Sequence, residues 1–211
     1  MDLPLDPSKL DTTHLFALAA ALGWASGLRL YAVVFFTGLA GWLGWVPLPD
    51  GLKLLQNPLV LAASGLMLAI EFLADKVPGL DSAWDALHTL IRIPAGAALA
   101  AGVFGGGQAE WSTIAALMGG TLAATSHVAK ATTRAAANTS PEPFSNIGLS
   151  LLGDAAVPAL LWLSWAHPLP FFIVLAVVLV LMVAVTVMLM KFLVGLLRSL
   201  RSRMGGTRAM A

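Results

Sequence analysis

Between positions 71 and 92 this chain carries Glu71, Asp75, Lys76, Asp81, Asp85, His88 and Arg92. Glu71 and Asp75 are four apart, as are Asp81 and Asp85, so on a helix each pair shares a face. Asp85 and His88 are three apart, a spacing that places an oxygen and a nitrogen ligand on one metal ion. One chemistry open to these residues is a divalent-metal-dependent step on lipid phosphates at the cytoplasmic interface, with Asp75, Asp81, Asp85 and His88 as ligands. A second group, His127, Lys130 and Arg134, recurs at i, i+3 and i+7 with Thr125, Ser126, Thr132 and Thr133 around it. Such a cationic strip lined with hydroxyls suits an anion or a phosphate. It equally suits a positively charged anchor at the cytoplasmic end of a span.

Two further charges stand alone. Arg29 lies between the uncharged runs Leu15–Leu28 and Leu30–Pro49, and Asp154 between Asn146–Gly153 and Ala155–Met190. An ionised group in hydrocarbon costs several kcal/mol, so it marks function and needs a partner. Candidate partners for Arg29 are Asp154 and Glu71. With Arg92, the cations Arg29, His127, Lys130 and Arg134 form the expected anion-binding set. Glu71 and Asp154 are the groups expected to carry coupling protons.

The elements that position these residues are apolar. The chain has 211 residues, 58% hydrophobic and 11% charged, with mean hydropathy +0.85; a soluble domain is about 25% charged. Expected spans are 15–45, 58–75, 82–104, 111–133, 146–166 and 171–190. The first, 31 residues long, would reach about 46 Å as a straight helix, against a hydrocarbon core of roughly 30 Å. Tilt, a kink or a re-entrant fold must absorb the excess, and Gly23-Trp-Ala-Ser-Gly27 supplies a weak point and a small-xxx-small pattern. Six spans put both termini in the cytoplasm, with the basic tail 191–211 fixing the orientation; five spans with a re-entrant first segment is the alternative. Residues 1–14 read as a polar lead-in, 15–190 as the membrane domain, with halves 15–105 and 111–190. Faint echoes between the halves, such as Ala74-Asp75-Lys-Val-Pro78 and Gly153-Asp154-Ala-Ala-Val-Pro158, suggest an inverted repeat of the kind common in transporters.

Several chemistries are absent. With no cysteine, disulfides, zinc–thiolate sites and iron–sulfur clusters are excluded. A net charge of +1 leaves no nucleic-acid footprint. There is no GxSxG elbow, Walker loop or HExxH. Asp81-x-x-x-Asp85 matches half of the acidic motif of membrane enzymes that transfer phospho-alcohols, without its upstream half.

The strings Ala25-Ser-Gly-Leu-Arg-Leu-Tyr31, Glu71-Phe-Leu-Ala-Asp-Lys-Val-Pro-Gly-Leu-Asp81, Trp84-Asp-Ala-Leu-His-Thr89, Ile91-Arg-Ile-Pro-Ala-Gly96 and Asn138-Thr-Ser-Pro-Glu-Pro-Phe-Ser-Asn146 resemble a family of bacterial integral membrane proteins classified as a domain of unknown function. The resemblance spans about residues 15–166. It implies a multi-spanning inner-membrane protein and supplies no activity. The expectation is an all-α polytopic bundle that carries a small anionic or phosphate-bearing solute, including a lipid carrier head group. Its partners are the bilayer and that solute; no nucleic acid and no resident cofactor are expected, and a homo-oligomer is compatible with the sequence. The alternatives are the metal-dependent enzyme above and a non-catalytic assembly protein.

Overall fold

The computed structural model describes residues 11–77, 79–105, 108–139 and 144–206. Most of the expected lead-in, Pro78, Gly106, Gly107, residues 140–143 of the Pro-rich loop and the end of the basic tail, including Arg208, lie outside the described residues. Every regular element among those described is helical: α1 (Thr12–Trp42), a 3-10 segment (Asp50–Gln56), α2 (Pro58–Ala74), α3 (Leu80–Gly102), α4 (Ala109–Ala137), α5 (Phe144–Ala166) and α6 (Pro168–Gly206). By length and composition α1, α5 and α6 suffice to cross a membrane. The 3-10 segment and α2, bent by 70° at their junction, add a fourth candidate if taken as one span.

Local signals set the boundaries. Asp11 caps α1 by accepting from the His14 amide at 2.9 Å, and that bond holds its carboxyl below the usual carboxylate range. Asn57 caps α2, with Pro58 in the first turn where its missing N–H costs nothing. Gly79 precedes α3 at φ +87°, a conformation that favours glycine. Past Lys191 the basic tail continues as helix.

Burial is inverted relative to a water-soluble bundle. On α3 the buried stripe is Asp81, Asp85, His88, Arg92, Gly96 and Ala100, while Leu87 and Leu90 on its other face are 71% and 83% exposed. Apolar side chains outside and charges inside match an apolar surrounding.

The first apolar stretch bends at Arg29, whose backbone (φ −147°, ψ 73°) is not helical. The glycines that marked the expected weak point serve close packing instead. A Cβ on Gly23 would meet the Gly119 backbone, and one on Gly27 the Ala123 carbonyl and the Ser126 hydroxyl.

Beyond the bend the chain doubles back. Phe16, in the first half of α1, packs 4.9 Å from Phe104. Gly38, in the second half, abuts Leu55. The 3-10 segment reaches both places, because Gly51 abuts Gly102 while Leu55 abuts Gly38. That segment is about 14 Å long at roughly 2 Å per residue. Along a straight helix, residues 16 and 38 would stand about 33 Å apart. Both halves of α1 therefore lead to the same end of the bundle, and Arg29 is the tip of a hairpin.

The other helices surround that hairpin. The first half of α1 runs alongside α4 in the same direction, with Gly23 at Gly119 and Gly27 at Ser126. Helix α3 runs opposite to α4, since Asn138 reaches Asp81 and Ser112 reaches Ala101. Helix α5 passes Arg29 at Ser150 and ends at Trp165, which shares a small apolar recess with Phe36, Ala40 and Trp45. After the turn at His167, α6 returns along the bundle, and the Trp24 indole N–H donates to Met182 Sδ at 3.4 Å. Enclosure on all sides explains why every residue from Ala17 to Leu30 is buried.

Candidate functional site

At the tip of the hairpin five cations and five carboxylates from five helical segments interlock. Arg29 contacts Asp75 at 2.5 Å and Asp154 at 2.9 Å. Asp75, at the end of α2, also receives Lys130 at 3.0 Å and Arg134 at 3.5 Å, so one carboxylate serves three cations. Lys130 bridges on to Asp85 at 3.0 Å. Arg134 bridges to Asp81 at 3.1 Å. Arg92 joins Asp85 at 2.7 Å to Glu71 at 2.5 Å. Lys76 lies 3.6 Å from Asp154 and 2.9 Å from the centre of the Phe72 ring. The formal charge of the ten groups is zero. Glu71, Asp75, Asp81, Asp85, Arg29, Arg92 and Arg134 are all buried, while the side chain of Asp154 is 21% exposed.

Side chains satisfy backbone carbonyls around the break at Arg29, as an apolar interior requires. The Leu28 carbonyl accepts from Lys130 Nζ at 3.2 Å. The Trp24 carbonyl accepts from the Ser126 hydroxyl at 2.6 Å. Arg29 Nη2 donates to the carbonyl and hydroxyl of Ser150 at 3.1 and 2.9 Å.

A cavity of about 400 Å³ opens beside this network between α1, α4, α5 and α6. Arg29, Lys130 and Arg134 line it together with Thr133; its remaining walls are apolar apart from Gly153. Three of the five expected anion-binding residues thus share one space. The other two lie elsewhere. Arg92 sits between Glu71 and Asp85, and His127 Nδ1 is 3.5 Å from Arg92 Nη1 while its Nε2 is 2.8 Å from the Thr89 hydroxyl. Of the two partners expected for Arg29, Asp154 meets it and Glu71 pairs with Arg92 instead.

The alternative metal set is dispersed. Asp75, Asp81 and Asp85 face guanidinium and ammonium groups, and the His88 ring stacks on Trp84 with Nε2 3.1 Å from the Tyr31 hydroxyl. Among the described residues no three His, Asp or Glu side chains are placed to hold a metal ion.

Four contributors escaped the sequence reading. Ser150 lies four residues before Asp154, on the same helix face, and also accepts from Lys76 at 3.3 Å. Asn138 and Asn146, which bracket the Pro-rich loop, are joined at 2.5 Å, and Asn138 donates to Asp81 at 3.2 Å. Tyr31 closes the His88 side. For Ser150 the i, i+4 spacing to a lone charge was the available signal.

This fold and site define a helical bundle wrapped around a hairpin, with an ion-pair centre at the hairpin tip and a cavity against it. The chain belongs to the family described as Domain of unknown function (DUF4126), whose profile matches residues 16–188. No curated protein and no solved structure matches it.

Proposed function

We propose that the chain is a multi-spanning bacterial plasma-membrane protein that binds and moves a small anionic or phosphate-bearing solute, coupled to a proton. The observation that carries this reading is that Arg29, Lys130 and Arg134, drawn from two helices, line one cavity of about 400 Å³. That volume is within the roughly 300–1,000 Å³ typical of small-molecule sites.

The helix directions support a sidedness. Lys76, Lys130, Arg134, Lys191, Arg198 and Arg201 belong to the end of the bundle where Arg29 points, which makes that end cytoplasmic by the positive-inside rule. Trp42, Trp45, Trp111 and Trp162 are exposed near the opposite end, as an interfacial aromatic belt would be. In this reading five spans and a re-entrant hairpin put the start of α1 outside and the end of α6 inside, in place of two cytoplasmic termini.

Charge neutrality supplies the coupling. With all ten groups ionised, the network offers an anion no net attraction. Asp154 is its most accessible carboxylate, and protonating it leaves Arg29 and Lys76 short of one counter-charge. The site then carries +1 beside the cavity, and an anion restores neutrality. Proton and anion would therefore enter together. Glu71, locked on Arg92 at full burial, holds the network in place instead.

The test is uptake of phosphate-bearing solutes into proteoliposomes under an imposed pH gradient. Lys130→Gln should lower uptake at least tenfold. Uptake that is unaltered in this variant would overturn the assignment of the cavity.

A further inference from the structure

Resting on that reading, we infer that the ligand is amphipathic: a lipid whose phosphate head group meets Arg29, Lys130 and Arg134 and whose single hydrocarbon chain lies along α5 and α6. The cations and the hydroxyl of the cavity come from α1 and α4. The walls that α5 and α6 contribute are apolar, among them Leu152, Ala156 and Leu160 of α5 and Val178, Leu181 and Val185 of α6. A free hydrated anion would leave these apolar walls against water, at about 25 cal/mol per Å². A hydrocarbon chain covers them.

Two observations point to the head-group end as a ligand position. Arg29 Nε is buried and has no hydrogen-bond partner, although the other guanidinium nitrogens face Asp75, Asp154 and Ser150. It sits beside Gly153 on the cavity wall, where even an added Cβ would lie 3.7 Å away. An N–H left unpaired in an apolar interior costs about 1–3 kcal/mol, and a phosphate oxygen is the acceptor that the neighbouring cations would favour.

Access is lateral. Helix α6 lies on the outside of the bundle and turns most of its surface away from it, with 6% of its apolar window buried. It is held beside the cavity by the Trp24–Met182 contact. A ligand that enters between α5 and α6 comes from the bilayer, not from either aqueous side.

The experiment measures binding to the full chain in nanodiscs by native mass spectrometry and thermal shift. Three probes are used: a single-chain lipid phosphate, its dephosphorylated alcohol, and inorganic phosphate. The lipid phosphate should bind at least a hundredfold more tightly than either of the other two. Gly153→Leu fills the space over Arg29 Nε while leaving every charged residue in place, and should weaken that binding at least tenfold with an unchanged melting temperature. Inorganic phosphate binding as tightly as the lipid phosphate would overturn the amphipathic ligand and leave the anion reading standing. Equal binding of the alcohol would overturn the phosphate recognition, and binding of none of the three would overturn both. A lipid phosphate bound equally well by a folded Gly153→Leu would place its head group elsewhere and overturn the assignment.

Discussion

Arg29 Nη1 and Asp75 Oδ2 lie 2.5 Å apart, both fully buried, and join the tip of the α1 hairpin to the end of α2. Asp75 is also the one carboxylate that Lys130 and Arg134 share. Removing its charge takes one counter-charge from three cations at once, leaving each with a single carboxylate (Asp154, Asp85 and Asp81), and breaking a buried pair costs about 3–5 kcal/mol. Asp75→Asn should therefore lower the melting temperature in detergent by on the order of 10 °C. The surface pair Asp50–Lys53, at 2.6 Å and mostly exposed, serves as control, and Asp50→Asn should leave the melting temperature unchanged. Equal effects of the two would show that the network does not hold the hairpin.

The contact between α1 and α4 depends on absent side chains. At an unconstrained helix position Gly→Ala stabilises by up to about 1 kcal/mol. At Gly27 the added Cβ would run into the Ala123 carbonyl and the Ser126 hydroxyl. Overpacking of this kind costs about 1–3 kcal/mol, so the sign reverses. Gly27→Ala should destabilise the protein, whereas Gly148→Ala, with nothing within 4 Å of its Cβ, should not. Thermal melts of the two variants measure the difference directly.

Much of the bundle was legible in the sequence, and what was not has identifiable causes. The all-α class follows from apolar runs of helical length separated by Pro and Gly. That Arg29 and Asp154 would meet follows from the cost of leaving either alone in hydrocarbon. The echo between Ala74-Asp75 and Gly153-Asp154 has a structural counterpart, because both aspartates bind Arg29. The sequence leaves the hairpin open because a bend at a single residue carries no compositional mark, and the nearby glycines point two residues too early. Glu71 is the other candidate partner for Arg29 by its place inside an apolar stretch. It binds Arg92 because the two lie on the facing sides of α2 and α3, a matter of helix rotation that spacing alone does not set.

The re-entrant hairpin makes a topological prediction that a straight first helix does not. If α1 crossed the membrane once, residues 11 and 53 would lie on opposite sides. With both halves of α1 leading to one end, they lie on the same side, and Leu80, at the start of α3, lies on the other. The chain has no cysteine, so single replacements Asp11→Cys, Lys53→Cys and Leu80→Cys can be labelled without background. A membrane-impermeant maleimide applied to intact cells should label the first two and spare the third until the membrane is permeabilised. Labelling of residue 53 without residue 11 would exclude the hairpin in the membrane.

Asp154 separates the transport reading from a purely structural one. Its side chain contacts Arg29 at 2.9 Å and Lys76 at 3.6 Å, and it is 21% exposed where Asp75 is fully buried. Asparagine keeps an oxygen that can accept from Arg29, so Asp154→Asn should fold normally, with a melting temperature close to that of the parent. What it loses is the exchangeable proton, and it fixes the network one negative charge short at every pH. In the proposed cycle proton and anion enter together, so uptake in the parent should rise as external pH falls. In Asp154→Asn uptake should become independent of pH. Proteoliposome flux measured between pH 5 and 8 decides the matter. A variant that retains the full pH dependence would remove Asp154 from the coupling, while one that loses both stability and flux would make it a structural member of the ion-pair centre.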